Sequence, residues 1–523
     1  ETLEEFSGKK LEGLEYEPLF KNELEVYDEI KKKSPNAFTV ILSKEYVALG
    51  SGSGLVHCAP GCGPEDYEVG RKYKIPPFNE LDEHGKFKDS MGIFSGLVAK
   101  KDDKKFIEII KNKGMLIDTT PVEHEYAHCW RCKTPVVYKT TEQWFLAVEK
   151  LKEQMIEENK KVVWVPDWAG TRWFNSWLTD LQDWCISRQR FWGIPLPIWK
   201  CKKCDKIKLV ESNEEIKKLT GKKLSNLHRP WIDEVEIKCE CGSLMKRIPD
   251  VLDVWLDSGA ATWATYEDKK KWSSIQTDFI LEGKDQIRGW FNSLTALSMV
   301  SRGINAYKSV YMHGMVNDSL GRKMSKSLKN IISPYEVIDK YGADTMRYYM
   351  IGASKPGLDM NYNFEDMKLK FRNLSVLWNI HKFLIDYANN FEEIDTKIKT
   401  SNLGVEERYI LSVLNSTIKK VSEMYENYRL NEVPGAIEFV FIELSRTYIQ
   451  MIREKSVSGT EKEKQAVLAV IFNVLLDTIK MFSTVAPFIS EHIYLNLKEK
   501  FGISGESITL QKWPKADEKQ IDE

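Results

Sequence analysis

The sequence predicts a multidomain α/β chain in three parts: a small α+β or β-rich module over residues 1–145, a parallel-sheet domain over 146–355, and a helical bundle over 356–523. Three observations carry that reading. Residues 1–145 mix short strand-like runs and glycine turns with one clear helical stretch, KDDKKFIEIIKNKGML. From about 146 strands alternate with helices, interrupted near 200–245 by a cysteine-bearing insert. Beyond 356, apolar residues recur every three or four positions in long segments such as RNLSVLWNIHKFLIDYANN and AVLAVIFNVLLDTIKMFSTVAPFISEHIYLNLKEK, which read as packed helices.

Composition supports several folded cores. The chain has 523 residues, 42% of them apolar and 11% aromatic, with 16 tryptophans, which argues against any long disordered stretch. Its net charge of −1 gives no global field for nucleic acid, so any contact with nucleic acid has to come from local patches. No apolar run approaches the roughly 20 residues of a membrane span, and no signal peptide is visible at Glu1. Most of the nine cysteines cluster at short spacings, which favours metal in a reducing compartment over disulfides. A cytoplasmic protein with no membrane partner is expected. The opening ETLEEFSGKKLEGLEYEPLF reads as the inside of a domain, so a fragment is expected too.

In the first module, ALGSGSGLVHCAPGCGPEDYEVGRKY holds Gly50, Gly52 and Gly54. They could cradle phosphate, but no lysine follows at P-loop spacing, and a tight turn before the strand GLVHCAP is the better reading. Asp66 reads as an acid at the start of a helix. Cys129-x-x-Cys132 is half a metal site. It needs two further ligands, and the neighbouring His124 and His128 read as surface residues. Its partner pair lies outside the chain, or the site is empty. Cys58, Cys62 and Cys185 read as ordinary thiols.

In the middle region, Cys201-x-x-Cys204 and Cys239-x-Cys241 form two knuckles with 34 residues between them. Four thiolates held pairwise in tight turns are the pattern of a closed structural Zn²⁺ site, which shapes a loop and does not catalyse. Further on, GRKMSKSLKN packs Arg322, Lys323, Lys326 and Lys329 into eight residues. A charge run is usually a solvated face. Here the flanks change the reading. SVYMHGMVND before it reads as a strand, and NIISPYEVIDKYGADTMRYYM after it as a proline-started helix. The loop therefore joins a strand to a helix, where α/β folds place anionic ligands.

Five blocks then occur together and in order: DWCISRQRFWGIPLPIW (Asp183 to Trp199), DVLDVWLDSGA (Asp250 to Ala260), EGKDQIRGWFNSL (Glu282 to Leu294), the pair His313–Gly314, and KMSKS (Lys323 to Ser327). Together they closely resemble the class I aminoacyl-tRNA synthetases of the isoleucine, valine and leucine group. SRQRFWGIPLPIW running into the two-knuckle insert, CWRCKTPVVYKTTEQWF and HRPWIDEVEIKC look most like the isoleucine branch in its archaeal or eukaryotic style.

The resemblance implies a fold and a set of roles. Residues 1–145 would be the C-terminal part of an editing (CP1) domain, and 146–355 the second half of a Rossmann-type catalytic domain carrying the KMSKS loop and the zinc insert. Residues 356–523 would be a helical anticodon-binding domain. The HIGH tetrapeptide and the Thr-rich editing segment do not occur, so the N-terminal part of the same enzyme is the expected missing partner. The implied reaction activates isoleucine with ATP and Mg²⁺ to the adenylate and transfers it to tRNA(Ile), with hydrolytic editing of valine in the complete enzyme, acting as a monomer. By the match, Lys326 is the main transition-state cation with Lys323 beside it, and Gly321 frees the loop to close. His313, Gly314, Met324, Ser325 and Lys326 would bind ATP. Glu282, Asp285 and Gln286 would hold the aminoacyl-adenylate, and His57 and Asp66 would serve editing. Trp290 is read as core; Asp257 borders the site, and Trp255 either borders it or belongs to the core. Lys284 and Cys62 depart from the usual pattern. The competing readings are valine or leucine specificity, a non-catalytic tRNA-binding half of a split synthetase, and a zinc-ribbon nucleic-acid protein, which would explain the four cysteines and nothing else.

Overall fold

The computed structural model describes residues 4–48, 50, 53–129 and 131–522. The chain divides into two compact units, one running to Gln143 and one starting at Trp144.

The first unit has helices Val26–Lys33, Pro64–Lys72 and Asp103–Asn112. The third follows its apolar spacing: Phe106, Ile109 and Ile110 pack onto a small core of Phe20, Leu24, Met91 and Phe94. The expected β-rich character is not seen among the described residues. Among the described residues, strand pairing in this unit is limited to isolated bridges such as Glu15 with Thr39 and Lys86 with Val98. GLVHCAP forms no ladder, and Leu55 and Val56 are exposed. A short apolar run makes a strand only where a neighbour takes its backbone groups, and a lone pair of strands is marginal in water. Gly54 lies at φ +74°, as a tight turn requires; Gly52 lies outside the described residues.

The second unit is built on a three-stranded parallel sheet in the order Ile280–Gly283, Ser309–His313, Val163–Val165. The central strand is buried through Met312, so its sequence reads as a continuous apolar run. Trp164, Val310 and Met312 share a core with Phe174, Trp263, Phe291 and Leu294. Trp263 comes from helix Val254–Ala264, and Phe291 and Leu294 from helix Trp290–Arg302.

Between the parallel strands sits a four-stranded antiparallel sheet, ordered Ile207–Leu209, Ile198–Cys201, Leu244–Arg247, Ile237–Lys238. Its helix Asn213–Thr220 starts where Ser212 Oγ accepts from the Glu215 N–H and ends at Gly221 in the left-handed conformation. Trp199, Ile216, Ile232 and Met245 form a separate core there.

Long helices follow, among them Phe364–Ala388, Val405–Glu426, Glu461–Phe482 and Pro487–Phe501. Asn363 and Thr460 cap the first and third through side-chain oxygens, the latter in a capping box with Glu463. Helix Glu461–Phe482 is long and apolar enough to cross a bilayer, which amends the sequence reading; 72% of its most apolar window is buried inside the unit, so helix packing accounts for its apolarity.

Candidate active site at the carboxyl ends of the parallel strands

Two adjacent strands end together, with Glu282 opposite Met312 and Gly283 opposite His313. Glu282, Asp285, Gln286, His313 and Gly314 therefore gather where parallel α/β sheets open their crevice. Backbone proximity explains both glycines. A Cβ on Gly314 would lie 2.1 Å from the Leu358 carbonyl oxygen, and one on Gly283 would lie 2.5 Å from Asp285 Oδ1 and 3.2 Å from His313 Cε1. The Asp285 carboxylate and the His313 imidazole thus flank the same glycine. His313 Nδ1 donates to the Gly314 carbonyl oxygen at 2.7 Å, which leaves Nε2 of the neutral ring as an acceptor.

Some polar groups here already have protein partners. Gln286 Oε1 accepts from the Trp290 N–H at 3.1 Å and so caps the helix Trp290–Arg302, while its Nε2 donates to Asp285 Oδ2 at 3.0 Å. Lys284 Nζ donates to Asp359 Oδ2 at 2.8 Å, and Asp359 Oδ1 accepts from the Met315 N–H at 2.7 Å. The Lys284 ammonium, then that N–H, hold the Asp359 carboxyl below the usual carboxylate range.

The cationic loop leaves this edge after Val316–Asn317 and returns at helix Pro334–Tyr341. Its base is bolted by two side chains. Asp318, buried, accepts from the N–H groups of Leu320 (3.0 Å) and Arg322 (2.8 Å), from Arg322 Nε (2.9 Å) and from Asn330 Nδ2 (2.9 Å). These bonds, that of Asn330 foremost, pull its carboxyl down to about 2. Asn330 Oδ1 accepts in turn from the Ser325 N–H at 2.9 Å. Gly321, at φ +78°, makes the turn between Asp318 and Arg322. Met324 Sδ accepts from the Ile332 N–H, and Ser325 Oγ from the Leu328 N–H, so both side chains shape the loop. The loop's ammonium groups are different. Lys323, Lys326 and Lys329 are exposed, and among the described residues none of them forms an ion pair; Arg322 alone of the four cations is paired, with Asp318.

The insert brings its four cysteines together. Cys201 Sγ lies 3.6 Å from Cys241 Sγ, and Cys204 Sγ 3.6 Å from Cys239 Sγ, with all four within 4.8 Å of one another. Tetrahedral coordination at about 2.3 Å per thiolate requires sulfurs about 3.8 Å apart, so the set can hold one metal ion of zinc's preference. Backbone N–H groups of Cys204 and Lys203 draw the Cys201 thiol down to about 6. Cys129 and Cys132 form a similar turn, in which the Cys129 N–H donates to Thr134 O and the Lys133 N–H to Cys129 O. No third ligand joins them among the described residues.

In the first unit, Asp66 lies in the opening turn of helix Pro64–Lys72, where its carbonyl accepts from Cys58 Sγ at 3.8 Å. Burial first, and the Asp66 carboxylate second, push the Cys58 thiol up to about 11 and raise Cys62 as well. Asp66 is thus grouped with two thiols, while His57 is exposed.

Residues 19–363 match the family model of tRNA synthetases class I (I, L, M and V), and residues 407–523 that of the anticodon-binding domain of tRNA ligase. The chain belongs to the class I tRNA synthetases. It is similar over its whole length to the isoleucine–tRNA ligase of Methanopyrus kandleri (40% identity, 51% of that protein covered) and to that of Methanocella arvoryzae (38%, 48% covered). The isoleucine–tRNA ligase of Pyrococcus horikoshii is 39% identical, with 52% covered. The chain spans about half the length of these relatives. Among solved structures, Mycobacterium tuberculosis methionyl-tRNA synthetase in complex with methionyl-adenylate aligns with a TM-score of 0.51 at 18% identity, over 73% of this chain and 69% of that one, a likeness of fold.

Within this synthetase chain, several organising residues had no signal in the sequence reading. Asp318 and Asn330 bolt the loop. Asp253, buried, accepts from Arg188 Nη2 (2.5 Å) and Trp184 Nε1 (3.2 Å) and caps helix Val254–Ala264 through the Trp255 N–H. Trp255 is 40% exposed and so not core; a Cβ on Gly289 would lie 3.5 Å from its ring. Trp290 packs against the sheet core and donates from Nε1 to Ser258 O at 2.8 Å. Burial raises the Asp257 carboxyl.

Proposed function

We propose that this chain carries the C-terminal working part of an isoleucine–tRNA ligase, with the loop Lys323–Ser327 acting on the triphosphate of ATP. The observation that carries the reading is the contrast inside that loop: a base held by Asp318 and Asn330, and three exposed lysines without an acidic partner among the described residues. A cluster of unpaired cations in a strand-to-helix loop beside the carboxyl ends of a parallel sheet suits an anionic ligand.

The isoleucine carboxylate would attack the α-phosphate of ATP, and pyrophosphate would leave; the terminal ribose hydroxyl of tRNA(Ile) would then take the aminoacyl group. Neither step needs a protein nucleophile. What both need is alignment and neutralisation of the charge growing on the leaving group. Lys326, with Lys323 beside it, supplies that charge best if the loop closes in the transition state, which raises rate more than affinity. His313 Nε2 is left to accept from the nucleotide, and Gly314 lets its backbone approach. The Glu282 and Asp285 carboxylates suit the α-ammonium and ribose hydroxyls of the adenylate, whereas Gln286 acts through the helix it caps. Mg²⁺ would arrive on the triphosphate, since that ion prefers phosphate and water oxygens. Cys201, Cys204, Cys239 and Cys241 would hold one structural Zn²⁺. His57 and Asp66 would belong to the editing site, and a cytoplasmic, monomeric enzyme completed by its N-terminal part remains our reading.

The test is isoleucine-dependent ATP–pyrophosphate exchange, with valine and leucine as controls, by this chain alone and mixed with an N-terminal part carrying the HIGH block. Exchange in the mixture that prefers isoleucine supports the reading. Exchange that prefers valine or leucine moves the specificity, and none in a folded mixture leaves a binding half without chemistry.

A further inference from the structure

The turn after strand Ser187–Arg188 presents two large rings to solvent: Phe191 is 61% exposed and Trp192 65%. Isolated exposed aromatics are common, but these two are braced. The Arg229 guanidinium lies 5.0 Å from the Phe191 ring centroid, and His228 stacks on Trp192 at 4.8 Å with the rings 5° from parallel. The braces are themselves fixed. His228 Nδ1 lies 3.0 Å from Asn226 Oδ1, Arg229 Nε donates to Asp233 Oδ2 at 2.7 Å, and Arg229 Nη1 donates to the Arg190 carbonyl at 3.1 Å. Asp233 is held in turn by the buried Arg247. The insert therefore clamps the two rings in one orientation.

The chain leading to the braces is rich in cations, two of which are paired, Arg229 with Asp233 and Lys223 with Glu214. From Lys217 to Ile232 there are five cations, Lys217, Lys218, Lys222, Lys223 and Arg229, and no carboxylate; Lys223 pairs with Glu214 at 3.2 Å. The rings also connect rigidly to the strand-end site. Strand Ser187–Arg188 pairs with Val251–Leu252, and Arg188 bonds Asp253, which caps the helix carrying Trp255.

We propose that Phe191 and Trp192 are a stacking platform for unpaired nucleotides at the end of an RNA substrate, with the basic run that leads to Arg229 attracting their phosphates. Ring faces take bases that have left a helix, because bases inside a duplex already stack on one another, and stacking tolerates any base. Fixed rings lose no rotamer freedom on binding, which favours the complex. The Arg229 guanidinium beside Phe191, and Lys217, Lys218 and Lys222 in the run, which form no ion pair among the described residues, favour a polyanion over an apolar protein segment. This inference rests on the synthetase reading and deepens it by naming where the acceptor end would lie on its way to the adenylate.

The probes are two RNA hairpins with the same stem, one with four unpaired 3′ nucleotides and one blunt, titrated against this chain. The expected result is about tenfold tighter binding of the overhang hairpin. Phe191→Ala or Trp192→Ala should abolish that preference while blunt-end binding persists, and Trp192→Phe, which keeps a ring, should retain most of it. Equal binding of the two hairpins by the unaltered protein overturns the proposal, as does an undiminished preference in both alanine variants. Amino-acid-dependent pyrophosphate exchange uses no RNA; its failure would remove the synthetase reading, whereas hairpins bound without preference beside intact exchange would remove only the platform.

Discussion

The four-cysteine insert and the KMSKS loop are both excursions from the same α/β framework, and they treat their polar side chains in opposite ways. In the insert, four thiols converge to within 4.8 Å of one another on a small sheet with its own core. In the loop, one carboxylate and one amide fix the base, and three ammonium groups are left exposed. Side chains that satisfy one another hold shape. Side chains left without partners are available to a ligand. The Cys129–Cys132 turn repeats the geometry of a knuckle without a second pair among the described residues, so chelating spacing makes a turn and only the surrounding fold completes a site.

Breaking the converged set should have the largest effect. We expect about one tightly held zinc per chain, lost in Cys239→Ser and unchanged in Cys129→Ser, as metal analysis of dialysed protein would read. Structural zinc contributes on the order of 10–16 kcal/mol to small domains that depend on it, so the insert should become protease-sensitive in the first variant. An unaltered metal count in Cys239→Ser would remove the four-cysteine site and with it one side of the contrast.

The free lysines come next. In the complete enzyme, Lys326→Ala should lower the rate of adenylate formation by roughly 10²–10³-fold, the usual cost of removing one group aimed at developing charge. Nucleotide affinity, measured by equilibrium binding, should change far less. Equal losses in rate and affinity would mean that the ammonium holds ground-state ATP.

Much of this contrast was legible in the sequence and part of it was not. The cysteine pairs and the lysine run announce themselves by local spacing, and the long helices by their period of three to four. Asp318 and Asn330 stand twelve residues apart, and Asp359 is 75 residues from Lys284; no spacing rule joins such partners. The requirement for glycine at Gly314 comes from the Leu358 carbonyl, 44 positions away, and so could be mistaken for a purely ligand-driven choice. The β-rich reading of the first unit failed for a related reason: the apolar run in GLVHCAP records side-chain chemistry, whereas a ladder depends on a second strand that sequence does not place.

The loop's anchor tests the middle ground. Asp318→Asn preserves shape but sets a second amide against Asn330 and removes the charge facing Arg322. We expect about tenfold slower adenylate formation, because cations on an unbolted loop reach the transition state less often. Trypsin should also cut the loop faster. The Asp318 carboxyl sits at about 2 in the folded protein against roughly 3.9 when free. A depressed value of this kind stabilises the fold fully above pH about 4 and loses that effect as pH falls towards 2. Loop protection in the unaltered protein should therefore be flat from neutral pH down to about 4, and an earlier loss would point to another group as the anchor.

The smallest effect should come from a lysine that looks as catalytic as Lys326. Lys284 lies between Glu282 and Asp285 in the gathered site, yet its ammonium is engaged by Asp359, which also receives the Met315 N–H beside Gly314. By the logic of the contrast it is a brace between strand ends. The pair is partly exposed, at 29% and 37% of the side chains, which puts its value in the range of about 0.2–1 kcal/mol. Lys284→Met should then reduce kcat/KM for pyrophosphate exchange only about two- to fivefold, with the remaining Asp359–Met315 bond keeping the turn in place. Because Lys284 lowers the Asp359 carboxyl, the pair's contribution is present at neutral pH and fades in acid, and the methionine variant should lose the part of that acid sensitivity that the ammonium supplies, keeping the part due to the Met315 N–H. A hundredfold loss at neutral pH would place Lys284 on the substrate, and pairing within the fold would no longer separate the residues that hold shape from those that act.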